Sequence, residues 1–290
     1  MISNSKHLNS EAFRIENDVL KIEVLKGFGA KIASLIHKES GFEFLFQPTL
    51  KKYDIPVYGD AFYKYDTSGI DDTIPTIDVC NYPNSDIVLK DHGDVWAQEW
   101  DYSIVEDSLI CVVKMNSLPL KLKKSIKIVG NSIQIKYELF NLSKDDTMYL
   151  WAFHGLNVFN DNTRMFFKHN GEILNVINGE TYGFDYKALK NYADKSENKF
   201  YFIDEIEEGY CGLDYVDERL KYILEYDTDI NKYLGVWITK GGFKGEYNCA
   251  IEPASGFYDT LERSYKNNKY SVVKGNSSVK WNMNITIEKY

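Results

Sequence analysis

The 290-residue sequence predicts an all-β protein, a large antiparallel sandwich or barrel, and three observations carry that prediction. Apolar and polar residues alternate over long stretches, with the period of two that places one face of a strand in a core and the other in water. Pairs such as Gly-Asn and Asn-Asp separate these stretches as tight turns. Tyr and Phe, both favoured in strands, are abundant at 22 and 16 copies.

The elements follow in chain order. Phe13-Ile15 and Leu20-Ile22-Val24, divided by Asn17-Asp18, read as a hairpin. A second hairpin spans Ser125 to Phe140. Ile126 and Ile128 lie on one arm and Ile133, Ile135, Tyr137 and Leu139 on the other, with Gly130-Asn131 at the turn. Val279, Trp281, Met283, Ile285 and Ile287 alternate with Lys280, Asn282, Asn284 and Thr286 as a strand with one buried face. Helical signals are few. Tyr186 to Asn198, with Asp185 as N-cap, is the one short helix expected. No internal repeat, low-complexity tract or linker interrupts the chain, so residues 1–290 are expected to form one domain.

Composition narrows the function. There are 34 Lys+Arg against 43 Asp+Glu, a formal charge of −9, which counts against a nucleic-acid partner. No apolar run approaches the roughly 20 residues of a membrane span. The first 17 residues contain no apolar stretch that could serve as a secretion signal, and a cytoplasmic location is the expectation. Cys80, Cys111, Cys211 and Cys249 are far apart and include no C-x-x-C. They are expected to be reduced and mostly buried.

The common cofactor and metal motifs fail one by one. Gly27-Phe28-Gly29 has Ile32 where a dinucleotide loop needs its third glycine, and it reads as a turn. Asp227-Thr228-Asp229-Ile230-Asn231 begins like a calcium loop, but Lys232 replaces the required glycine and Ile238 the bidentate glutamate. No H-E-x-x-H, G-x-S-x-G or phosphate-binding loop is present. Neither a cofactor nor a metal is expected.

Three segments do place an ionisable group in an apolar or glycine-bearing context, where burial and neighbours move its pKa. They are Asp91-His92-Gly93-Asp94-Val95-Trp96, Leu150-Trp151-Ala152-Phe153-His154-Gly155, and Asn248-Cys249-Ala250-Ile251-Glu252-Pro253. A core histidine bonded to a carbonyl would look like His154, a salt-bridged carboxylate like Glu252, and a turn residue like His92.

Taken in this order, the three segments resemble the aldose 1-epimerase (galactose mutarotase-like) family. That family carries a His-Gly, then a His in a hydrophobic strand, then a Glu-Pro near the C-terminus. Lys26-Gly27-Phe28-Gly29-Ala30-Lys31-Ile32-Ala33-Ser34-Leu35 is similar to the family's opening hairpin. Ser68-Gly69-Ile70-Asp71-Asp72-Thr73-Ile74-Pro75-Thr76 is similar to a Gly-acidic-Pro segment of a bacterial branch. The resemblance implies a β-supersandwich with its active site in a groove on one concave sheet. It implies an isomerase, with Glu252 as catalytic base, His154 as catalytic acid and His92 as a substrate-binding residue at the ring oxygen. A carboxylate and an imidazole suit the opening of a pyranose hemiacetal, in which one proton leaves the C1 hydroxyl as another reaches the ring oxygen.

The family's upstream substrate-binding Arg is missing. Asp66-Thr67-Ser68-Gly69-Ile70-Asp71-Asp72 stands in its region, which leaves Asp71 and Asp72 as the substrate-binding candidates. Trp96, four residues after His92, and Trp237, shortly before Glu252, are the candidates for stacking on a sugar ring. Trp100 and Trp151 fit core packing better. Trp96 also occupies the position where related hexose-6-phosphate epimerases carry an Arg. With four arginines in the chain, a neutral sugar is expected over a phosphorylated one. The alternatives are a carbohydrate-binding protein of the same fold and, further off, a sugar-phosphate epimerase or a glycosidase. The latter would need a second carboxylate from Asp71, Asp72, Asp94 or Glu99.

Overall fold

The computed structural model describes residues 1–183 and 189–290. Nearly all of its regular structure is antiparallel sheet, arranged as two large sheets packed face to face. Among the described residues the larger sheet has twelve strands. Its path runs from Ile2–His7 through Ser10–Glu16, Leu20–Leu25, Ile32–His37, Ile70–Thr73, Ala152–Asn157, Tyr247–Ala254, Tyr233–Lys240, Glu197–Phe202 and Glu172–Asn175 to Thr181–Gly183, and Phe42–Glu43 pairs off the fourth of these. The second has eight strands, in the order Arg164–Phe167, Tyr210–Tyr215, Leu220–Tyr226, Ser278–Lys289, Ser132–Asn141, Leu120–Val129, Ser108–Lys114 and Asp101–Val105. Among the described residues each sheet has free edges, the arrangement of a sandwich and not of a closed barrel.

Local chemistry produces these elements where the alternation is strongest. Leu120–Val129 and Ser132–Asn141 pair in register from Leu120 opposite Asn141 to Val129 opposite Ser132, leaving Gly130-Asn131 as a two-residue turn. Ser10–Glu16 pairs with Leu20–Leu25 around Asn17, whose side chain accepts from the Val19 and Leu20 N–H groups. Trp281, Met283, Ile285 and Ile287 are buried along Ser278–Lys289. Residues from both sheets, from Ile15 to Ile287, meet in one buried apolar cluster. All four cysteines are buried and free.

The expected helix at Tyr186–Asn198 needs correction. Asp185 and residues 186–188 lie outside the described residues. Of the remainder, Leu189–Asn191 is a short 3-10 turn, and Glu197 already begins a strand that continues to Phe202. Phe200 and Phe202 turn into the core while Lys199 and Tyr201 occupy the other face, a period of two and not of 3.6. The α-helix among the described residues lies instead at Leu261–Lys266, capped by the Thr260 hydroxyl accepting from the Arg263 N–H at 3.1 Å.

Candidate active site

Five neighbouring strands of the larger sheet build the floor of a cleft. Asp71 pairs with His154, and Glu252 pairs with Gly235, which in turn pairs with Tyr201. The register that sets Ala152 opposite Ala254 and Leu156 opposite Ala250 brings His154 level with Glu252. One row across the sheet therefore reads Asp71, His154, Glu252, Gly235, Tyr201. The next row on the same face reads Leu156, Ala250, Trp237, Lys199. Small residues leave room above the floor. A Cβ on Gly235 would stand 3.0 Å from the Tyr201 ring and 3.3 Å from Glu252 Oε2.

The cleft has a volume of about 330 Å³, and Glu252, His154, His92 and Trp237 all line it. His92 arrives from a loop. Its backbone is left-handed at φ +56°, and Gly93 follows at φ +74°. A Cβ on Gly93 would fall 2.0 Å from the Ile74 carbonyl oxygen, so the close approach that delivers His92 requires glycine. The His92 ring stacks on Phe62 with centroids 4.0 Å apart and meets His154 edge-on at 5.0 Å. Asp91 organises this corner. One carboxylate oxygen lies 2.9 Å from His92 Nδ1, and the other accepts from the Phe62 N–H at 2.7 Å.

The polar groups of the cleft are held in different states. Glu252 is 1% exposed, with Oε2 accepting a hydrogen bond from the Lys199 ammonium and Oε1 without a hydrogen-bond partner among the described residues. His154 Nδ1 is likewise buried and unpartnered. Burial first, then the His92, Lys199 and Lys31 charges, push the His154 imidazole well below its ordinary pKa and hold it neutral. Burial works to raise the Asp91 carboxyl, but bonds from the His92 ring and the Phe62 and His92 N–H groups outweigh it and keep it below the usual carboxylate range. At the mouth, burial and the neighbouring Asp259 push Asp78 up to about 6. The Tyr201 hydroxyl donates to Asp259.

Three sequence candidates lie elsewhere. Asp72 faces the opposite side of its strand. It is buried between the sheets, with Lys124 at 2.8 Å and the Trp151 Nε1–H donating to it at 3.0 Å, so it does not face the cleft. Asp71 is on the cleft's face but is 1% exposed, ion-paired to Lys31 at 2.7 Å, and not part of the lining. Trp96 is also buried behind the wall. Its Nε1–H donates to the Asp91 carbonyl at 3.0 Å, and its ring packs edge-on against Phe62 at 5.0 Å. Trp96 supports the wall and does not form it. Trp237 does line the cleft, with its Nε1–H donating to Asn248 Oδ1 at 3.1 Å.

Asp94 is occupied by the Tyr58 hydroxyl and by Ser117, and neither it nor Glu99 lines the cleft. Lys199, Asp78 and Asp259 do line it, and sequence reasoning missed all three. Period-two reading of Glu197–Phe202 would have put Lys199 on the same face as Tyr201. Nothing local marks Asp78 or Asp259. Among the described residues no group of His, Cys, Asp and Glu is arranged to hold a metal ion.

The architecture, two large antiparallel sheets packed face to face, is that of a galactose mutarotase-like fold. Solved structures similar to this chain include a galactose mutarotase-like protein from Lactobacillus casei ATCC 334, with TM-score 0.74 and 14% identity over 96% of this chain and 100% of the other. Another from Clostridium acetobutylicum has TM-score 0.72 and 13% identity over 100% and 99%. The Slr1438 protein from Synechocystis sp. PCC 6803 has TM-score 0.78 and 18% identity over the whole of both chains. At these identities the likeness is one of fold. The chain belongs to the family described as "Domain of unknown function (DUF5107)", whose model matches residues 2–170. No curated protein matches the chain.

Proposed function

We propose that the protein is an aldose 1-epimerase, a mutarotase that interconverts the α and β anomers of a free, neutral aldose. The observation that carries this reading is the convergence of Glu252, His154 and His92 in one cleft, with Glu252 Oε1 lacking a hydrogen-bond partner among the described residues. The fold it shares with galactose mutarotase-like proteins supports it. Glu252 removes the proton of the C1 hydroxyl while an imidazole supplies one to the ring oxygen. The hemiacetal C1–O5 bond breaks, and rotation about C1–C2 presents the other face of the aldehyde. The roles then reverse and the ring closes as the opposite anomer.

Two imidazoles face the substrate, and their surroundings divide the work. His154, buried and held neutral, offers a ring N–H as a hydrogen-bond donor and must gain a proton before acting as the acid. A carboxylate on Nδ1 orients an imidazole, and this is how Asp91 serves His92. His92, held by Asp91, is placed to assist at the ring oxygen in this reading. Trp237 provides the apolar face for the sugar ring. The mechanism calls for no cofactor. Among the described residues no helix is long and apolar enough to cross a membrane.

The test is NMR exchange between the anomers of glucose, galactose and a panel of small aldoses, with wild type beside Glu252→Gln. Acceleration by the wild type that falls by about 10²–10⁴-fold in the variant, with sugar binding retained, is the expected result. Binding without acceleration in either protein would replace the enzyme by a carbohydrate-binding protein of the same fold. Asp78 and Asp259 share the cleft with Glu252, so the same samples are assayed for reducing sugar released from oligosaccharides. Release would favour a glycosidase.

A further inference from the structure

Lys199 has no role in the reading above, yet it lines the cleft beside Glu252. Its side chain is 13% exposed and its ammonium donates to Oε2 of Glu252, which is itself 1% exposed. Among the described residues it is the one lysine or arginine that lines the cleft. Lys31, on the far side of Phe62, is already committed to Asp66 at 3.0 Å and Asp71 at 2.7 Å.

A carboxylate removed from water without a cation or hydrogen-bond donors takes up a proton and ceases to be a base. Among the described residues no other cation is bonded to Glu252. His154 is on the strand to one side. Gly235 lies opposite on the other strand, with Tyr201 and its partner Asp259 beyond. Asp78 and His92 come from the loops above. Two of these groups are acids that would disfavour a second negative charge.

We propose that Lys199 is the positioning residue of the candidate base: it holds Glu252 by Oε2, counters the charge of the carboxylate, and leaves Oε1 as the oxygen without a partner. This inference rests on the mutarotase reading for its catalytic meaning, though not for its test. A role for Lys199 as a nucleophile toward the ring-opened aldehyde is disfavoured. Burial alone would lower its pKa, but Glu252, Asp259 and Asp78 outweigh burial and raise it, so the nitrogen stays an ammonium without a free lone pair.

The experiment compares wild type, Lys199→Met and Lys199→Arg in the full chain. The Glu252 carboxyl is followed by ¹³C NMR in protein labelled at glutamate Cδ and assigned by its loss in Glu252→Gln. In Lys199→Met the Glu252 titration should move up by about 1–3 pH units, and Lys199→Arg should restore most of the shift. Anomer exchange should lose its activity from the acid side, recovering at higher pH. A merely structural lysine would lower exchange by one factor at every pH. Should Lys199→Met fail to fold, Lys199→Gln makes the same measurement. An unmoved Glu252 titration in a folded neutral variant overturns the proposal. If the wild type accelerates no anomer exchange, the mutarotase reading fails, while the carboxyl titration still decides the role of Lys199.

Discussion

Asp71 and Asp72 are adjacent in one short strand, and each neutralises a buried lysine on an opposite side of the same sheet. Asp71 pairs with Lys31 beneath the cleft at 2.7 Å, and Asp72 pairs with Lys124 of the second sheet at 2.8 Å. All four side chains are no more than 2% exposed. The first pair borders the site, and the second ties the two sheets together.

Breaking the second pair should cost stability without touching the cleft. Asp72→Asn leaves the Lys124 ammonium buried and uncompensated, and removal of one partner of such a pair costs about 3–5 kcal/mol. Equilibrium unfolding in urea should show this loss as a lower midpoint. Replacing both, as Asp72→Leu with Lys124→Met, should recover most of it, because two apolar side chains leave no charge to desolvate. A double variant as weak as the single one would show that the Trp151 hydrogen bond to Asp72, and not the ion pair, dominates there.

His154 should make stability depend on pH with a definite sign. Its folded pKa lies well below the unfolded value of 6.5. Above 6.5 neither state holds the proton. As pH falls below 6.5, the unfolded chain gains a proton that the folded one refuses, and folding loses about 1.4 kcal/mol per pH unit until the folded pKa is reached. His154→Gln removes that dependence. Stability of the variant minus that of wild type should therefore rise steadily from pH 7 to pH 5. Taking the difference cancels other groups, such as Glu43, which burial pushes up to about 7. A flat difference would mean that His154 takes up a proton as readily in the folded protein as in the unfolded chain.

Gly93→Ala should disable the site from outside it. The added Cβ meets the Ile74 carbonyl at 2.0 Å, and the backbone at φ +74° is strained for any L side chain. The cost should exceed the ~1–3 kcal/mol of a strained backbone alone. The loop must shift to relieve the clash, taking His92 off Phe62. Loss of thermal stability together with loss of anomer exchange is the expected outcome, and unchanged exchange would show that His92 is dispensable.

Where a feature depended on neighbours in the chain, it was legible in the sequence. The hairpin turning at Gly130-Asn131, the buried row Trp281, Met283, Ile285 and Ile287, and the strand carrying His154 all follow from alternation and turn chemistry acting within a few residues. The strand at Glu197–Phe202 was missed because a short, thinly patterned stretch fits either period, and its pairing with Tyr233–Lys240 settles the matter. The six-residue helix at Leu261–Lys266 has too few turns to show a stripe.

The sequence by itself therefore determined those strands and turns, and it supplied His92, His154 and Glu252 as candidates. Only the tertiary structure decided which face each one serves. In a strand, a step of one residue reverses the side chain's direction, so the difference between Asp71 under the cleft and Asp72 in the core rests on register across the sheet, not on composition. The same holds for Lys199. Its contact with Glu252 joins residues 53 apart across the intervening strand Tyr233–Lys240, a proximity that sheet pairing creates and local sequence does not encode.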